Sequence, residues 1–146
     1  IVEPGKRVAV IGGKLIGSEV AEYISDREKE VILIEETGAL CGDAGNRVKL
    51  LLTERLGNYP NLEIKLKTNV EKINDRSIVI QKEGKIEEVE GVNMVVLAMG
   101  AKANNMLADE LKRESKVSDI YTVGDCVIPR KMTDAIYEGF IIANKI

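Results

Sequence analysis

The run Val8-Ala9-Val10-Ile11 passes directly into Gly12-Gly13-Lys14-Leu15-Ile16-Gly17, and a helical pattern follows with Val20, Ala21 and Ile24 turned to one side. Four consecutive apolar residues suit a strand buried on both faces, and the glycines after them suit a tight turn into a helix. A second buried run, Val31-Ile32-Leu33-Ile34, ends at Glu35, 18 residues beyond Gly17. Strand, glycine loop, helix, strand and terminal acid in that order read as a βαβ unit of the dinucleotide-binding kind. Gly12 permits the turn out of the strand, and Gly17 lets the helix pack closely on it. The helix beginning near Leu15 points its unpaired N–H groups and positive dipole end at phosphates, and Glu35 is placed to accept hydrogen bonds from the adenosine ribose hydroxyls. Lys14 departs from the fingerprint. A glycine there lets a pyrophosphate approach the backbone, so a Cβ is expected to weaken binding while the ammonium group pulls the other way.

Composition narrows the chemistry further. The chain has 146 residues, 45% hydrophobic and 31% charged, the size and balance of one globular domain that needs no metal or disulfide staple. A net charge of −3 with 3% aromatic residues offers neither a basic stripe nor stacking platforms, so nucleic acid is not an expected partner. No apolar run reaches the ~20 residues of a membrane span, and no signal segment is visible, so no membrane partner and a cytoplasmic location are expected. There is no histidine, which removes the commonest general base and metal ligand, and Cys41 and Cys126 form no C-x-x-C pair. No metal site and no catalytic side chain are expected. The chain opens on Ile1 and stops at Ile146 within a helical pattern, and so reads as a piece of a longer protein.

Taken in order, Pro4-Gly5 marks a turn, Lys6–Ile11 a strand, Leu15–Arg27 a helix and Glu30–Glu35 the second strand. Asp43 is the expected N-cap of a helix to Leu56 with Val48, Leu51, Leu52 and Leu56 buried, and Leu62–Leu66 is the third strand. Asn69–Ile73, Ser77–Gln81 and Lys85–Val89, divided by Asn74-Asp75 and Glu83-Gly84, read as an antiparallel meander in place of a crossover helix. Asn93–Ala98 returns to the main sheet, Met106–Lys112 has helical pattern, and Ser115–Ser118 is a polar link. Asp119–Val123 reads as a last strand and Thr133–Ile146 as a helix capped by Thr133. The expected fold is α/β, a Rossmann-like three-layer parallel sheet in strand order 3-2-1-4 with an antiparallel meander crossover. A possible fifth strand, Asp119–Val123, is expected to dock beside Asn93–Ala98 with the last helix covering one face.

The succession Val-Ile-Gly-Gly-Lys-Leu-Ile-Gly-Ser-Glu, Leu-Ile-Glu, meander, Val-Val-Leu-Ala-Met-Gly and Ile-Tyr-Thr-Val-Gly-Asp-Cys resembles the pyridine-nucleotide domain of flavoproteins with two dinucleotide-binding domains. With the tail from Gly124 through Arg130-Lys131 to Phe140, it is most similar to NADH:flavin oxidoreductases of the 2,4-dienoyl-CoA reductase and old-yellow-enzyme-like group. The resemblance implies that Gly12, Gly13 and Gly17, with Lys14, Leu15 and Ile16 between them, form the pyrophosphate loop of NAD(H). It implies further that Glu19 lies near the nicotinamide, that Glu35 binds ribose with Glu36 beside it, and that Gly100 belongs to a motif closing over the cofactor. Gly124 and Asp125 match a different site, in which the Asp holds the ribityl chain of FAD. On this resemblance residues 1–118 are an NAD(H)-binding domain, and 119–146 belong to a flavin domain built mainly from sequence upstream. The flavin domain's own glycine loop, an FMN barrel and iron–sulfur cysteines are not in this chain, so it is not expected to retain flavin or to be active alone. Besides Lys14, Ala103 departs from the pattern, where relatives usually have proline. The implied function is presentation of NADH for hydride transfer to a flavin, with the upstream catalytic domain of the parent as partner. A non-catalytic module holding ADP or NAD in a structural or regulatory role is the alternative.

Overall fold

The computed structural model describes residues 5–114, 117 and 119–146; Pro4 of the expected first turn, and Ser115, Lys116 and Ser118 of the expected polar link, lie outside the described residues. Two compact units divide the chain, Ile1–Met99 and Gly100–Ile146.

The first unit runs β1 (Arg7–Ile11), α1 (Leu15–Ser25), β2 (Glu30–Glu35), α2 (Asn46–Gly57), β3 (Leu62–Leu66), β4 (Thr68–Ile73), β5 (Ser77–Lys82), β6 (Lys85–Glu90) and β7 (Met94–Leu97). β3-β2-β1-β7 form a four-stranded sheet, parallel throughout, and β4-β5-β6 an antiparallel one. This is the expected Rossmann-like α/β arrangement.

Alternation along the central strands sorts the core into two layers, because successive side chains of a strand point to opposite faces. Val8, Val10, Val31 and Leu33 pack with Ala21 and Ile24 of α1 and Leu52 and Leu56 of α2. Ala9, Ile32 and Ile34 pack on the other face with Ile78 and Ile80 of β5, Val89 of β6 and Val92. The meander thus covers the sheet face that a crossover helix would otherwise cover, and the middles of β1 and β2, Val8–Ile11 and Val31–Ile34, buried on both faces, are apolar without interruption.

Three expectations about helices are corrected. α1 ends at Ser25, not Arg27, and Glu28 turns the chain with a left-handed φ of 57°. α2 starts at Asn46 with Gly45 at its N-cap, so Asp43 lies outside it. The buried stripe of α2 is narrower than the apolar pattern implied: Leu52 is 2% exposed whereas Leu51 is 45% exposed and Val48 also faces solvent. A single sheet face needs only the residues directly over it, and residues at neighbouring angles around the helix fall beyond its edge.

The second unit contains α3 (Met106–Glu114), a short 3-10 turn at Gly124–Cys126 and α4 (Met132–Ala143). The expected fifth strand is corrected here. The parallel sheet has four strands, and Asp119–Val123 forms no strand among the described residues. The segment runs instead into the Gly124 turn, whose N–H donates to Glu138 Oε2 of α4 at 2.7 Å. Thr122, Val123 and Val127 line one small hollow together with Tyr137, Ile141 and Ile142 of α4. α4 itself begins one residue before Thr133, with Lys131 at the N-cap and its N–H donating to Asp134 Oδ2 at 3.0 Å.

The corrected face of α2 makes a paired prediction. Leu52→Ala is expected to cost about 2–5 kcal/mol through a cavity in the core, and Leu51→Ala within about 0.5 kcal/mol, measured as the shift in urea unfolding midpoint. Equal losses at the two positions would place the buried stripe wrongly.

Candidate dinucleotide site

The glycine loop after β1 is held from four directions. The Gly12 N–H donates to the Ile34 carbonyl at 2.8 Å, which ties the turn to β2. The Gly13 N–H donates to Glu35 Oε2 at 2.5 Å, and the Gly13 carbonyl accepts from Ser18 Oγ at 2.9 Å and from the Cys41 N–H at 2.8 Å. Both backbone polar groups of Gly13 are therefore saturated by buried partners. Gly12 has a φ of 102°, and a Cβ on it would strike the Ala98 carbonyl; a Cβ on Gly17 would fall on the Gly12 carbonyl oxygen. At Gly13 a Cβ would meet Leu40 Cδ2 at 2.6 Å and Glu35 Cβ at 2.8 Å. The three glycines are thus demanded by the closeness of the loop to its own protein neighbours. Lys14 differs: its φ of −65° and ψ of −178° are extended backbone open to any residue, and its side chain is exposed. The departure from the glycine pattern carries no backbone strain.

Glu35 ends β2 at only 3% exposure, with Oε1 accepting the Thr37 N–H at 2.9 Å and Oε2 accepting that of Gly13. Burial by itself pushes such a carboxyl up. The hydrogen bonds from Thr37 and Gly13, with Lys14 nearby, outweigh it and hold the carboxyl below the usual glutamate value. Each carboxylate oxygen keeps a second lone-pair direction beyond its backbone partner.

Asp43, expected to cap α2, caps α1 instead. Its Oδ1 accepts the Leu15 N–H at 2.8 Å, filling one of the donors that a helix N-terminus leaves without an intrahelical partner. A carboxylate from the β2–α2 loop therefore sits at the positive end of the helix.

Above this loop lies a cavity of about 560 Å³ within the first unit. From the sequence-derived residues it takes Gly12, Lys14, Glu35 and Glu36. Gly13 and Gly17 are buried behind its wall, Leu15 is half-buried, and Ile16 and Glu19 are exposed on α1 and form no part of the lining. The opposite wall was not foreseen: Thr68, Asn69, Val70, Glu71, Lys72 and Ile73 come from β4, and Leu97, Ala98 and Met99 from the end of β7. The register of β4 against β5 shifts between Val70 and Lys72, a bulge that puts Glu71 at the cavity. A strand of a meander carries no marker of the face it will present, so only the sheet order brings it here. The cavity stands at the C-terminal ends of β1, β2 and β7, where the strand order passes from β2-β1 to β1-β7, the switch point at which open parallel sheets bind ligands.

Gly100, Gly124 and Asp125 belong to the second unit. Gly100 has a φ of 93°. Gly124, with φ 72°, packs so closely that a Cβ would lie 3.1 Å from Ala135 Cβ, and Asp125 Oδ1 accepts the Arg130 N–H at 3.1 Å. Arg130 in turn pairs with Glu138, the same carboxylate that holds Gly124. Among the described residues no group of His, Cys, Asp or Glu is arranged to hold a metal ion, and no helix is long and apolar enough to cross a membrane.

The family model described as pyridine nucleotide-disulphide oxidoreductase matches residues 2–139. The chain belongs to that family. It is 32% identical over 143 residues, 97% of its length, to the bilirubin reductase of Mediterraneibacter gnavus, and 30% identical over 140 residues, 82% of its length, to an NADH oxidase of Streptococcus pneumoniae. It spans 22% and 29% of those two proteins. Superposed on 2-naphthoyl-CoA reductase it gives a TM-score of 0.85 at 29% identity, covering 99% of this chain and 22% of that one.

Two predictions follow from the contacts themselves. Glu35→Gln presents an amide N–H to one of two backbone donors and is expected to destabilise the protein by about 1–3 kcal/mol at neutral pH. Because the folded carboxyl titrates below the ordinary 4.5, its contribution is complete above that value and is lost as pH falls through the folded value. The gap between wild type and Glu35→Gln should accordingly narrow in denaturation curves below about pH 4.5; a gap that is constant with pH would show that the carboxylate charge is not involved. Asp43→Ala should cost about 0.5–2 kcal/mol and speed hydrogen exchange at the Leu15 amide, with the first turn of α2 unaltered. Faster exchange in α2 rather than at Leu15 would return Asp43 to the role expected from sequence.

Proposed function

We propose that this chain is the nicotinamide-dinucleotide-binding module of a longer flavin-dependent oxidoreductase, of the group that resembles 2,4-dienoyl-CoA reductase and the old-yellow-enzyme-like NADH:flavin oxidoreductases. The observation that carries this reading is the cavity at the strand ends, walled by Gly12, Lys14, Glu35 and Glu36 and opening at the sheet's switch point. Its volume of about 560 Å³ lies in the range of small-molecule and cofactor sites, roughly 300–1,000 Å³.

In this reading the pyrophosphate lies against Gly12 and Lys14 near the N-terminus of α1, with Lys14 contributing a point charge. The N–H groups of Gly12, Gly13 and Leu15 stay with Ile34, Glu35 and Asp43, and the remaining lone pairs of Glu35 accept from the adenosine ribose. Ile11, Val70 and Leu97 supply apolar contact area on the cavity wall. Bound NADH supplies a hydride to a flavin held by the rest of the parent. The residues of this chain orient the dinucleotide and exclude water, and hydride transfer asks for no side-chain acid or base from them, which agrees with a chain free of histidine. The resemblance assigns Gly100 to a motif that in relatives closes over the cofactor.

The same reading assigns residues 1–118 to the nicotinamide domain and 119–146 to the flavin domain, with Gly124-Asp125 directed at the ribityl chain of FAD. What supports it is the surface of α4: Met132, Ile136, Tyr137 and Phe140 are all exposed, with Phe140 at 63%. Large apolar side chains in such density suit a surface that a further domain covers. The flavin domain and the upstream catalytic domain of the parent are the proposed partners.

NAD(H) is the proposed form rather than NADP(H). A phosphate on the adenosine 2′-oxygen would stand against Glu35 and Glu36, and like charges about 4 Å apart repel by about 1 kcal/mol in water and about 4 kcal/mol near a protein surface. Titration with NADH and NADPH, followed by nicotinamide fluorescence, is expected to give the tighter dissociation constant for NADH. Comparable constants would remove the preference, and no binding of either nucleotide would overturn the assignment of the cavity.

A further inference from the structure

Lys67 is the single residue between β3 and β4, and it takes a left-handed φ of 52°. Non-glycine residues adopt that conformation rarely and at a cost, and an outlier of this kind beside a binding site invites a functional reading. The corner it makes takes the chain out of the parallel sheet and into the meander, and it is stitched to the loop after β2, because the Lys67 N–H donates to the Thr37 carbonyl at 2.9 Å. The Thr37 N–H is in turn one of the two that Glu35 holds. The Lys67 side chain lies over the same loop: a Cβ added to Gly38 would stand 3.4 Å from Lys67 Cε. Between Glu35 and Cys41 the sequence has Glu36 and neither lysine nor arginine, so Lys67, 31 residues after Glu36, is a cation that folding alone delivers to this loop. Lys67 and Glu36 are both exposed, and Lys67 enters no ion pair among the described residues.

We propose that Lys67 is a specificity-determining residue for the adenosine 2′-substituent, a cation at the β2 loop that offsets Glu36 and so sets how strongly a 2′-phosphorylated dinucleotide is rejected. The inference rests on the dinucleotide reading of the cavity. Glu36 repels a 2′-phosphate and Lys67 attracts it, and the two together leave NADPH weaker than NADH but not excluded. Lys14 has a different reach. It stands at the glycine loop, where the pyrophosphate common to both dinucleotides would lie, and so acts on both alike.

The test is binding of NADH and NADPH to wild type, Lys67→Met, Lys67→Arg and Lys14→Met. Lys67→Met should weaken NADPH about three- to tenfold more than NADH, with the difference shrinking at high salt, and Lys67→Arg should retain most NADPH affinity. Lys14→Met should change the two nucleotides by the same factor. A Lys67→Met effect that is equal for NADH and NADPH, or absent, overturns the inference while leaving the cavity a dinucleotide site; wild type that binds neither overturns the reading beneath it and the inference with it. A second measurement removes Glu36: Glu36→Gln should raise the affinity for 2′,5′-ADP relative to 5′-ADP, and adding Lys67→Met should lower that ratio again. If Lys67→Met leaves the ratio in Glu36→Gln unmoved, Lys67 does not reach the phosphate and the proposal fails.

Discussion

The hydrogen bond from the Gly13 N–H to the buried carboxylate of Glu35 is the contact on which the first unit's architecture turns. It joins the end of β1 to the end of β2 through a residue whose carbonyl is also saturated, by Ser18 of α1 and Cys41 of the following loop. A charge-assisted bond in a buried setting is stronger than a neutral one, and leaving either partner unsatisfied carries the full desolvation penalty. The geometry of the loop, the entry angle of α1 and the path of the chain after β2 are therefore coupled. A Cβ at Gly13 would press on the same Glu35 side chain, so the glycine and the acid constrain each other.

That coupling changes how the acid at the end of the second strand is understood. Glu35 is first of all a structural pin, accepting from the Gly13 and Thr37 N–H groups, and the proposed ribose contact is left to its remaining lone pairs. Loop organisation is carried by this one carboxylate, held below the usual glutamate value by its hydrogen bonds against the pull of burial. Asp43 adds a second carboxylate at the N-terminus of α1, supplied by a loop nearly thirty residues further on. The surroundings of the glycine loop are therefore more acidic than the linear motif implies, with Lys14 on the loop itself and Lys67 at the loop after β2.

The meander does two jobs with one set of strands. One face, through Ile78, Ile80 and Val89, completes the core against Ala9, Ile32 and Ile34. The edge strand β4, bulged at Glu71, forms a wall of the cavity. A crossover helix would bury the same sheet face, but it would not bring an edge strand with its alternating side chains to the strand ends. The second unit is organised differently, around Glu138, which binds the Gly124 N–H and Arg130 and so fixes the turn that carries Asp125.

What the sequence by itself determined was whatever depends on local pattern. The uninterrupted runs Val8–Ile11 and Val31–Ile34 could only be strands covered on both faces, the spacing of Gly12, Gly13 and Gly17 could only be a tight strand-to-helix loop, and Asn74-Asp75 and Glu83-Gly84 marked the hairpins. Strand order followed from those elements because few topologies connect them. Tertiary structure decided the rest. It made Asp43 the cap of α1 instead of α2, left Leu51 outside the core, set Thr122 and Val123 against α4, and brought β4 and the β7 terminus to the cavity beside the glycine loop and Lys67 to the loop after β2. Each of these depends on a partner far away in the chain, and periodicity, propensity and motif spacing record only what a residue does with its near neighbours.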